Sequence, residues 1–297
     1  MNINQILADS IEKLKEKKII TPQLDAELLL GFILKKPREY VMIHPEHQLT
    51  KLQETGYKKI LQRRLKHEPI AYILGQKEFY GLNFKVNKHT LIPRPETEHL
   101  VDAVISNLQL VNSKKIIIAD IGTGSGNIII SIAKNNEQQS MSSNKIKYFG
   151  IDISEKVLAI AKKNSKIHKL NNKIKFIKSD LLKYFIDHCS LITDHCIIIA
   201  NLPYLSKKIY FSAMPDVKNF EPKSALLSGM DGLDHYEKLF KQLKKILLIT
   251  DHCSLILEIS PEQKKSITKL IKKYFPNAHI EFQKDLAQKW RVVKLFI

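Results

Sequence analysis

Ile-Ile-Ile-Ala-Asp-Ile-Gly-Thr-Gly-Ser-Gly, residues 116–126, decides the fold. An apolar run reaches Asp120, three glycines follow at alternate positions, and a second apolar segment covers 127–133. The run reads as a buried strand, the glycines as a tight turn, and the segment after them as a helix start. This is the first strand-turn-helix of a doubly wound sheet. Glycines let the backbone approach a ligand without Cβ clashes, and a helix N-terminus offers free N–H groups. The spacing is G-x-G-x-G, because Asn stands at 127. That weakens a dinucleotide reading and leaves a nucleoside cofactor without a pyrophosphate. A structural turn in another α/β protein is the plainer alternative, but a turn alone rarely needs three glycines in five residues.

Working outward, 297 residues suffice for one large domain or two ordinary ones. Hydrophobic residues at 44% and charged residues at 26% are globular values. The net charge of +18 suits acidic partners such as nucleic acid or ribosomal complexes. A Lys-, Ile- and Asn-rich coding bias explains scattered lysines equally well. The three cysteines, Cys189, Cys196 and Cys253, form no C-x-x-C pair, which argues against a disulfide framework or a zinc ribbon. The N-terminus has no apolar core of signal-peptide length, and no apolar run could span a bilayer. A cytoplasmic chain that engages no membrane is expected.

Three regions follow in order. Residues 1–75 read as a helical docking domain. Ile3, Ile6, Leu7, Ile11 and Leu14 recur at helical spacing, and Thr21-Pro22 starts a second helix whose apolar side is Leu24, Leu28, Leu29 and Leu30. Asp25 and Glu27 fall in its first turns. Residues 49–66 give another amphipathic pattern, and His44, His47 and His67 read as surface residues. Residues 76–92 read as a β-hairpin linker around Gly81, and 93–297 as the catalytic domain. There, strands are expected at 147–152, 173–180, 196–200 and 253–260, with closing strands at 278–284 and 290–297. Helices are expected at 96–110, 154–169, 232–249 and 261–275. The stretch 135–144 (NNEQQSMSSN) reads as an inserted loop. DHCSLI occurs at 187–192 and again at 251–256, and TDHC at 193–196. This reads as duplication rather than a metal cluster, because adjacent side chains in an extended chain point to opposite sides.

In an open α/β sheet, ligands lie beyond the carboxyl ends of the strands. Four strand ends meet there. The first brings Asp120 with Gly122, Thr123, Gly124, Ser125 and Gly126. The second brings Asp152, placed to accept from two ribose hydroxyls. The third brings Asp180 for an adenine amino group, with Leu181 beside the base. The fourth runs into Asn201-Leu202-Pro203-Tyr204. This arrangement resembles the class I S-adenosylmethionine-dependent methyltransferases, α/β proteins with a Rossmann-like seven-stranded sheet whose last strand is antiparallel. The resemblance implies S-adenosyl-L-methionine at Asp120, Gly122–Gly126, Asp152, Asp180, Leu181 and Asn201. Asn-Leu-Pro-Tyr looks like the Asn-Pro-Pro-Tyr motif of enzymes that methylate a planar nitrogen. Such a nitrogen is a poor nucleophile with a delocalised lone pair, so the site must orient it. The Asn201 side-chain oxygen and the Leu202 carbonyl can each accept one N–H, and Tyr204 can pack on the planar group.

Further segments narrow the family. Glu68-Pro-Ile-Ala-Tyr-Ile-Leu-Gly75, Glu78-Phe-Tyr-Gly-Leu82, Leu91-Ile-Pro-Arg-Pro-Glu-Thr-Glu98, Phe220-Glu-Pro222, Ser228-Gly-Met-Asp-Gly-Leu233 and Asp285-Leu-Ala287 stand in order with the two motifs above. From about residue 20 to the end, the chain resembles the HemK/PrmC release-factor glutamine methyltransferases. That resemblance implies a helical N-terminal domain, a hairpin linker and a catalytic domain. It implies N5-methylation of the glutamine in the Gly-Gly-Gln loop of peptide chain release factors, by a monomer working near the ribosome and its RNA. Leu202 stands where the family has its first proline, which keeps the carbonyl but not the fixed φ. Asn-Leu-Pro-Tyr is also familiar from ribosomal RNA adenine N6-methyltransferases, the alternative reading. A cofactor-binding module that docks on a translation complex without catalysis is a third. Arg94 could contact substrate or brace the linker; the brace is favoured.

Overall fold

The computed structural model describes residues 1–111, 113, 115–139, 145–188, 195–248 and 253–297. The 116–121 run lies in the interior of the sheet, third of its seven strands, and its alternation explains its composition. Ile116 and Ile118 pack on one face, among residues such as Val101 and Ile129. Ile117, Ala119 and Ile121 pack on the other, among Phe240 and Leu243. A strand buried on both faces reads as continuously apolar instead of alternating.

In chain order, α1 (Ile3–Glu16), α2 (Pro22–Leu34), α3 (Arg38–Ile43), α4 (Lys51–Leu65) and α5 (Ile70–Leu74) precede a hairpin of β1 (Gln76–Phe79) and β2 (Leu82–Lys85). A 3-10 turn, Pro95–Thr97, leads into α6 (Glu98–Leu110). Alternation then begins: β3 (Lys115–Ile121), α7 (Asn127–Gln139), β4 (Lys145–Asp152), α8 (Glu155–Ile167), β5 (Ile174–Lys178), α9 (Lys183–Asp187) and β6 (His195–Ala200). After α10 (Lys207–Ser212) and α11 (Pro215–Phe220) come α12 (Asp234–Ile246), β7 (Cys253–Glu258), α13 (Lys264–Tyr274), β8 (His279–Lys284) and β9 (Trp290–Phe296). The seven-stranded sheet has the order β5-β4-β3-β6-β7-β9-β8. β3 pairs parallel to both β4 and β6, whereas β9 runs antiparallel to β7 and β8. The expected class, a Rossmann-like sheet with a reversed closing strand, is present. The order reverses between β3 and β6, so a crevice opens at their carboxyl ends.

The chain divides into two compact units, Met1–Gln76 with Met214–Phe220, and Lys77–Ala213 with Glu221–Ile297. The first has its own core around Ile3, Leu29, Leu30 and Tyr57. The apolar side expected for α2 is only partly right. Leu24 is 37% exposed, while Asp25 and Glu27 are buried. Both acids are held by arginines: Arg38 Nε donates to Glu27 Oε2 at 2.6 Å and Arg64 Nε to Asp25 Oδ2 at 2.6 Å. Arg64, 6% exposed, also donates to Asp216 Oδ2 of α11 at 2.7 Å. His67 and His47 are structural rather than free surface groups, the first against Asp216 at 3.3 Å and the second against the Tyr40 hydroxyl at 3.2 Å.

Several boundaries differ from the sequence expectation. Residues 135–139 continue α7 rather than forming a loop, because nothing in that polar stretch breaks a helix; 140–144 lie outside the described residues. The third catalytic strand stops at Lys178, so Ser179 and Asp180 stand beyond it. Helix α12 starts at Asp234, because Gly232 has φ 85° and Leu233 caps the helix. Of the repeated Asp-His-Cys segments, residues 189–194 and 251–252 lie outside the described residues. Cys196 and Cys253 are buried, free and paired in register across β6 and β7. Among the described residues no helix is long and apolar enough to cross a membrane, and no His/Cys/Asp/Glu cluster could hold a metal ion.

Arg64→Ala would leave Asp25 a buried carboxylate without its partner. A loss of about 3–5 kcal/mol is expected, the usual result of breaking a buried ion pair from one side. Urea unfolding followed by circular dichroism checks this, and an unchanged midpoint would contradict the role given to Arg64.

Candidate active site

The loop after β3 needs its glycines for backbone reasons. Gly122 and Gly126 have φ of 74° and 81°, where side chains are strained. A Cβ on Gly122 would come within 3.0 Å of Leu202 Cδ2, and one on Gly126 within 2.9 Å of Ile130. Asp120 lies beneath the loop, fully buried. Thr123 Oγ1 donates to its Oδ2 at 2.7 Å, while Oδ1 has no partner among the described residues. Burial pushes this carboxyl up from 3.8 to about 7; the Thr123 hydrogen bond opposes the shift and the Asp152 charge adds to it. Ser125 Oγ donates to Asn127 Oδ1 at 2.9 Å.

A buried amide holds the loop from the side. Asn164 of α8 donates through Nδ2 to the carbonyls of Ser125 at 2.8 Å and Lys85 at 3.0 Å, and its Oδ1 accepts Lys85 N–H at 2.7 Å. One side chain therefore ties the glycine turn to the hairpin strand β2. Sequence reading missed it, since a single Asn in an amphipathic helix carries no signal.

A cavity of about 480 Å³ opens at the carboxyl ends of β3, β4, β5 and β6. Small-molecule sites run to roughly 300–1,000 Å³, so a nucleoside cofactor fits. Gly122–Ser125, Asp152, Asp180, Leu181 and Asn201–Pro203 all line it. Asp120, Gly126 and Tyr204 do not. Asp120 and Gly126 are buried behind the loop, and Tyr204 directs its hydroxyl to Glu258.

Each acid of the wall is already oriented. Asp152 Oδ1 accepts Ser154 N–H at 2.9 Å and Oδ2 accepts Gly124 N–H at 3.3 Å. Burial raises its pKa, against the pull of those amides. Asp180 Oδ2 accepts from Lys238 Nζ at 2.5 Å, a partner on α12 that sequence reading did not foresee, which leaves Oδ1 for a ligand. Arg94 pairs with Glu221, whose other oxygen accepts Ile92 N–H at 3.1 Å. That braces the proline-rich entry, although Arg94 also reaches the cavity wall.

At the fourth strand end, the parallel register Ala200↔Leu257 sets Asn201 beside Glu258. Asn201 Nδ2 donates to Glu258 Oε2 at 3.0 Å and to Thr97 Oγ1 at 3.2 Å. The Tyr204 hydroxyl donates to Glu258 Oε1 at 3.3 Å. Glu258 is 1% exposed, and burial pushes its carboxyl up to about 7, against the hydrogen bonds of Thr97 and Tyr204 and the charge of Arg291. Glu258 was missed in the sequence, yet the signal was present: an apolar strand ending in an acid, the same pattern that singled out Asp152.

Residues 5–75 match the family model for the PrmC N-terminal domain, and residues 112–291 match that for a methyltransferase domain. The chain is 35% identical to a release factor glutamine methyltransferase of Clostridium botulinum, over 99% of each chain. Identity to the enzyme of the same name from Bacillus anthracis is 32%, over 90% of each chain. A bifunctional methyltransferase of Rickettsia conorii is 32% identical over 98% of this chain, which spans only 57% of that relative's length. Among solved structures, the hMettl16 catalytic domain with a MAT2A 3′UTR hairpin shares the fold, with TM-score 0.50 and 13% identity over 73% of this chain and 76% of that one.

Two outcomes follow for the loop. Asp152→Ala is expected to weaken cofactor binding by about 1–3 kcal/mol through lost charge-assisted hydrogen bonds, read by isothermal titration calorimetry. Asp120 holds a proton in the folded chain between its ordinary 3.8 and about 7, where the unfolded chain has released it. Stability should therefore fall as pH rises through that window. Asp120→Asn should flatten this part of a melting-temperature profile, and an unaltered slope would assign it to other groups.

Proposed function

The chain belongs to the family of release factor glutamine methyltransferases, and we propose that it N5-methylates the glutamine of the Gly-Gly-Gln loop in peptide chain release factors. S-adenosyl-L-methionine is the methyl donor, and the groups suited to hold it are the Gly122–Ser125 turn, Asp152, Asp180 and Leu181. The bound cofactor supplies a methyl group activated on a sulfonium.

The chain's own task is to prepare the amide nitrogen. Its lone pair is delocalised into the carbonyl, so orientation limits the rate more than basicity does. The observation that carries the reading is the placement of Asn201. Its Nδ2 is directed to Thr97 and Glu258, so its Oδ1 is the atom available to a substrate N–H at the cavity wall. The Leu202 carbonyl, at the cavity wall, is suited to accept the second N–H, while Tyr204 lies outside the lining and bonds Glu258. Acceptors so placed stabilise positive charge that grows on nitrogen during transfer. No strong base is needed, because the methylated nitrogen releases its proton readily afterwards.

A substrate of this kind implies work in the cytoplasm, at translation termination. The ribosomal RNA adenine reading is not favoured by the curated relatives, which are named for release factors or as bifunctional enzymes.

Incubation with labelled S-adenosylmethionine should place label on the release-factor glutamine and none on ribosomal RNA; label on RNA alone would overturn the proposal. Asn201→Ala should lower kcat by about 10²–10³-fold, the usual loss for a group that stabilises developing charge, with cofactor affinity retained.

A further inference from the structure

We propose that Glu258 is a positioning residue for methyl transfer, fixing the Asn201 amide with its oxygen turned toward the substrate. This rests on the amide-methylation reading above and adds a residue that the strand-end motif does not contain.

An Asn side chain has two nearly isosteric orientations, and its neighbours decide between them. Around Asn201 they are acceptors. Glu258 Oε2 lies 3.0 Å from Asn201 Nδ2, and Thr97 Oγ1 lies 3.2 Å from it. The hydroxyls of Thr97 and Tyr204 both hydrogen-bond to the Glu258 carboxylate, so neither proton is available to Asn201. With Glu258 ionised, both Asn201 N–H groups have acceptors and the oxygen faces outward. A donor at position 258 reverses this. It would draw in Asn201 Oδ1 and turn the NH₂ to the cavity, where it meets the substrate NH₂ donor to donor. Leaving such groups unpaired in a closed site is costly.

The other groups facing Glu258 come from several elements. Tyr236 of α12 donates to the Glu258 backbone carbonyl, Arg291 lies on β9, and Glu96 on the turn before α6. Arg291 is engaged by Asp285 at 2.8 Å. Burial of Glu258 outweighs these influences and sets its carboxyl at about 7. The ionised form is the competent one, so kcat should rise as pH passes upward through that value and level off above it.

The test measures methyl transfer to release factor at saturating cofactor. Glu258→Gln should lower kcat by about 10²-fold, leave cofactor affinity unchanged, and abolish the step in the kcat–pH profile. Asp120→Asn should keep that step, since Asp120 titrates in the same range from beneath the glycine loop. A swapped pair separates orientation from mere packing. Asn201→Asp alone sets two carboxylates against each other. Adding Glu258→Gln supplies a donor to one oxygen of the introduced carboxylate and leaves its other oxygen facing outward. The double variant should therefore be about tenfold or more faster than Asn201→Asp alone, a coupling within the range for contacting residues. A double variant no faster than that single one would overturn the role, as would near-normal kcat in Glu258→Gln. No transfer to release factor by the unaltered chain would instead remove the function reading, and this role with it.

Discussion

Burial of the central strand on both faces is the constraint from which the catalytic unit follows. Each isoleucine of 116–118 and 121 contributes roughly 1.5–3 kcal/mol when fully enclosed, and all are at most 4% exposed. Helices must then cover both faces, and polar groups are excluded from the strand's length. The place left for chemistry is the carboxyl edge, where the chain goes on from β3 and from β6 to strands on opposite sides of that pair. Asp120, Asp152, Asn201 and Glu258 all stand at strand ends there. Their gathering is a consequence of topology before it is one of function.

Polar groups at such an edge are partly desolvated, and each needs a partner to remain there. The partners determine what the site can do. Asn164 satisfies backbone groups of both the glycine loop and the hairpin strand, which makes the loop's shape a property of three separate segments. Asp152 is locked by two backbone amides while remaining on the cavity wall. Asn201 and Tyr204 converge on one buried carboxylate from an adjacent strand. The arrangement is preorganised: acceptors are oriented by interactions that do not involve a ligand.

Much of this was legible in the sequence, for identifiable reasons. Apolar runs punctuated by Gly, Pro and acids mark strand ends, so β3, β4 and β6 and the residues at their ends could be read directly, whereas β7 was carried to Ser260, past its true end at Glu258. Helix starts with strong local chemistry, such as Ser154 capping α8, were equally readable. What escaped depended on contacts distant in sequence. Lys238 meets Asp180 across 58 residues, and Asn164 meets Lys85 across 79. Glu258 ends a strand just as Asp152 does, but nothing local says that the register brings it to Asn201. Leu24 was misplaced because apolar periodicity cannot reveal that two acids of the same helix will be drawn inward by Arg38 and Arg64.

The leucine in place of the first motif proline is also a question of context. Proline would fix φ at position 202. Leu202 does not fix it, yet the position is constrained from three directions. The side chain is 3% exposed and belongs to the core that includes Leu233 and Tyr236. The residue stands two positions after the parallel pairing of Ala200 with Leu257, and Pro203 follows, which disfavours helical backbone at Leu202. Packing and the following proline thus supply the restriction that a ring would have supplied. The Leu202 side chain also lies over the glycine loop: its Cδ2 stands 3.0 Å from where a Cβ on Gly122 would be. The fourth strand end and the glycine loop are therefore packed against each other, and Gly122 is required by both its φ and this neighbour.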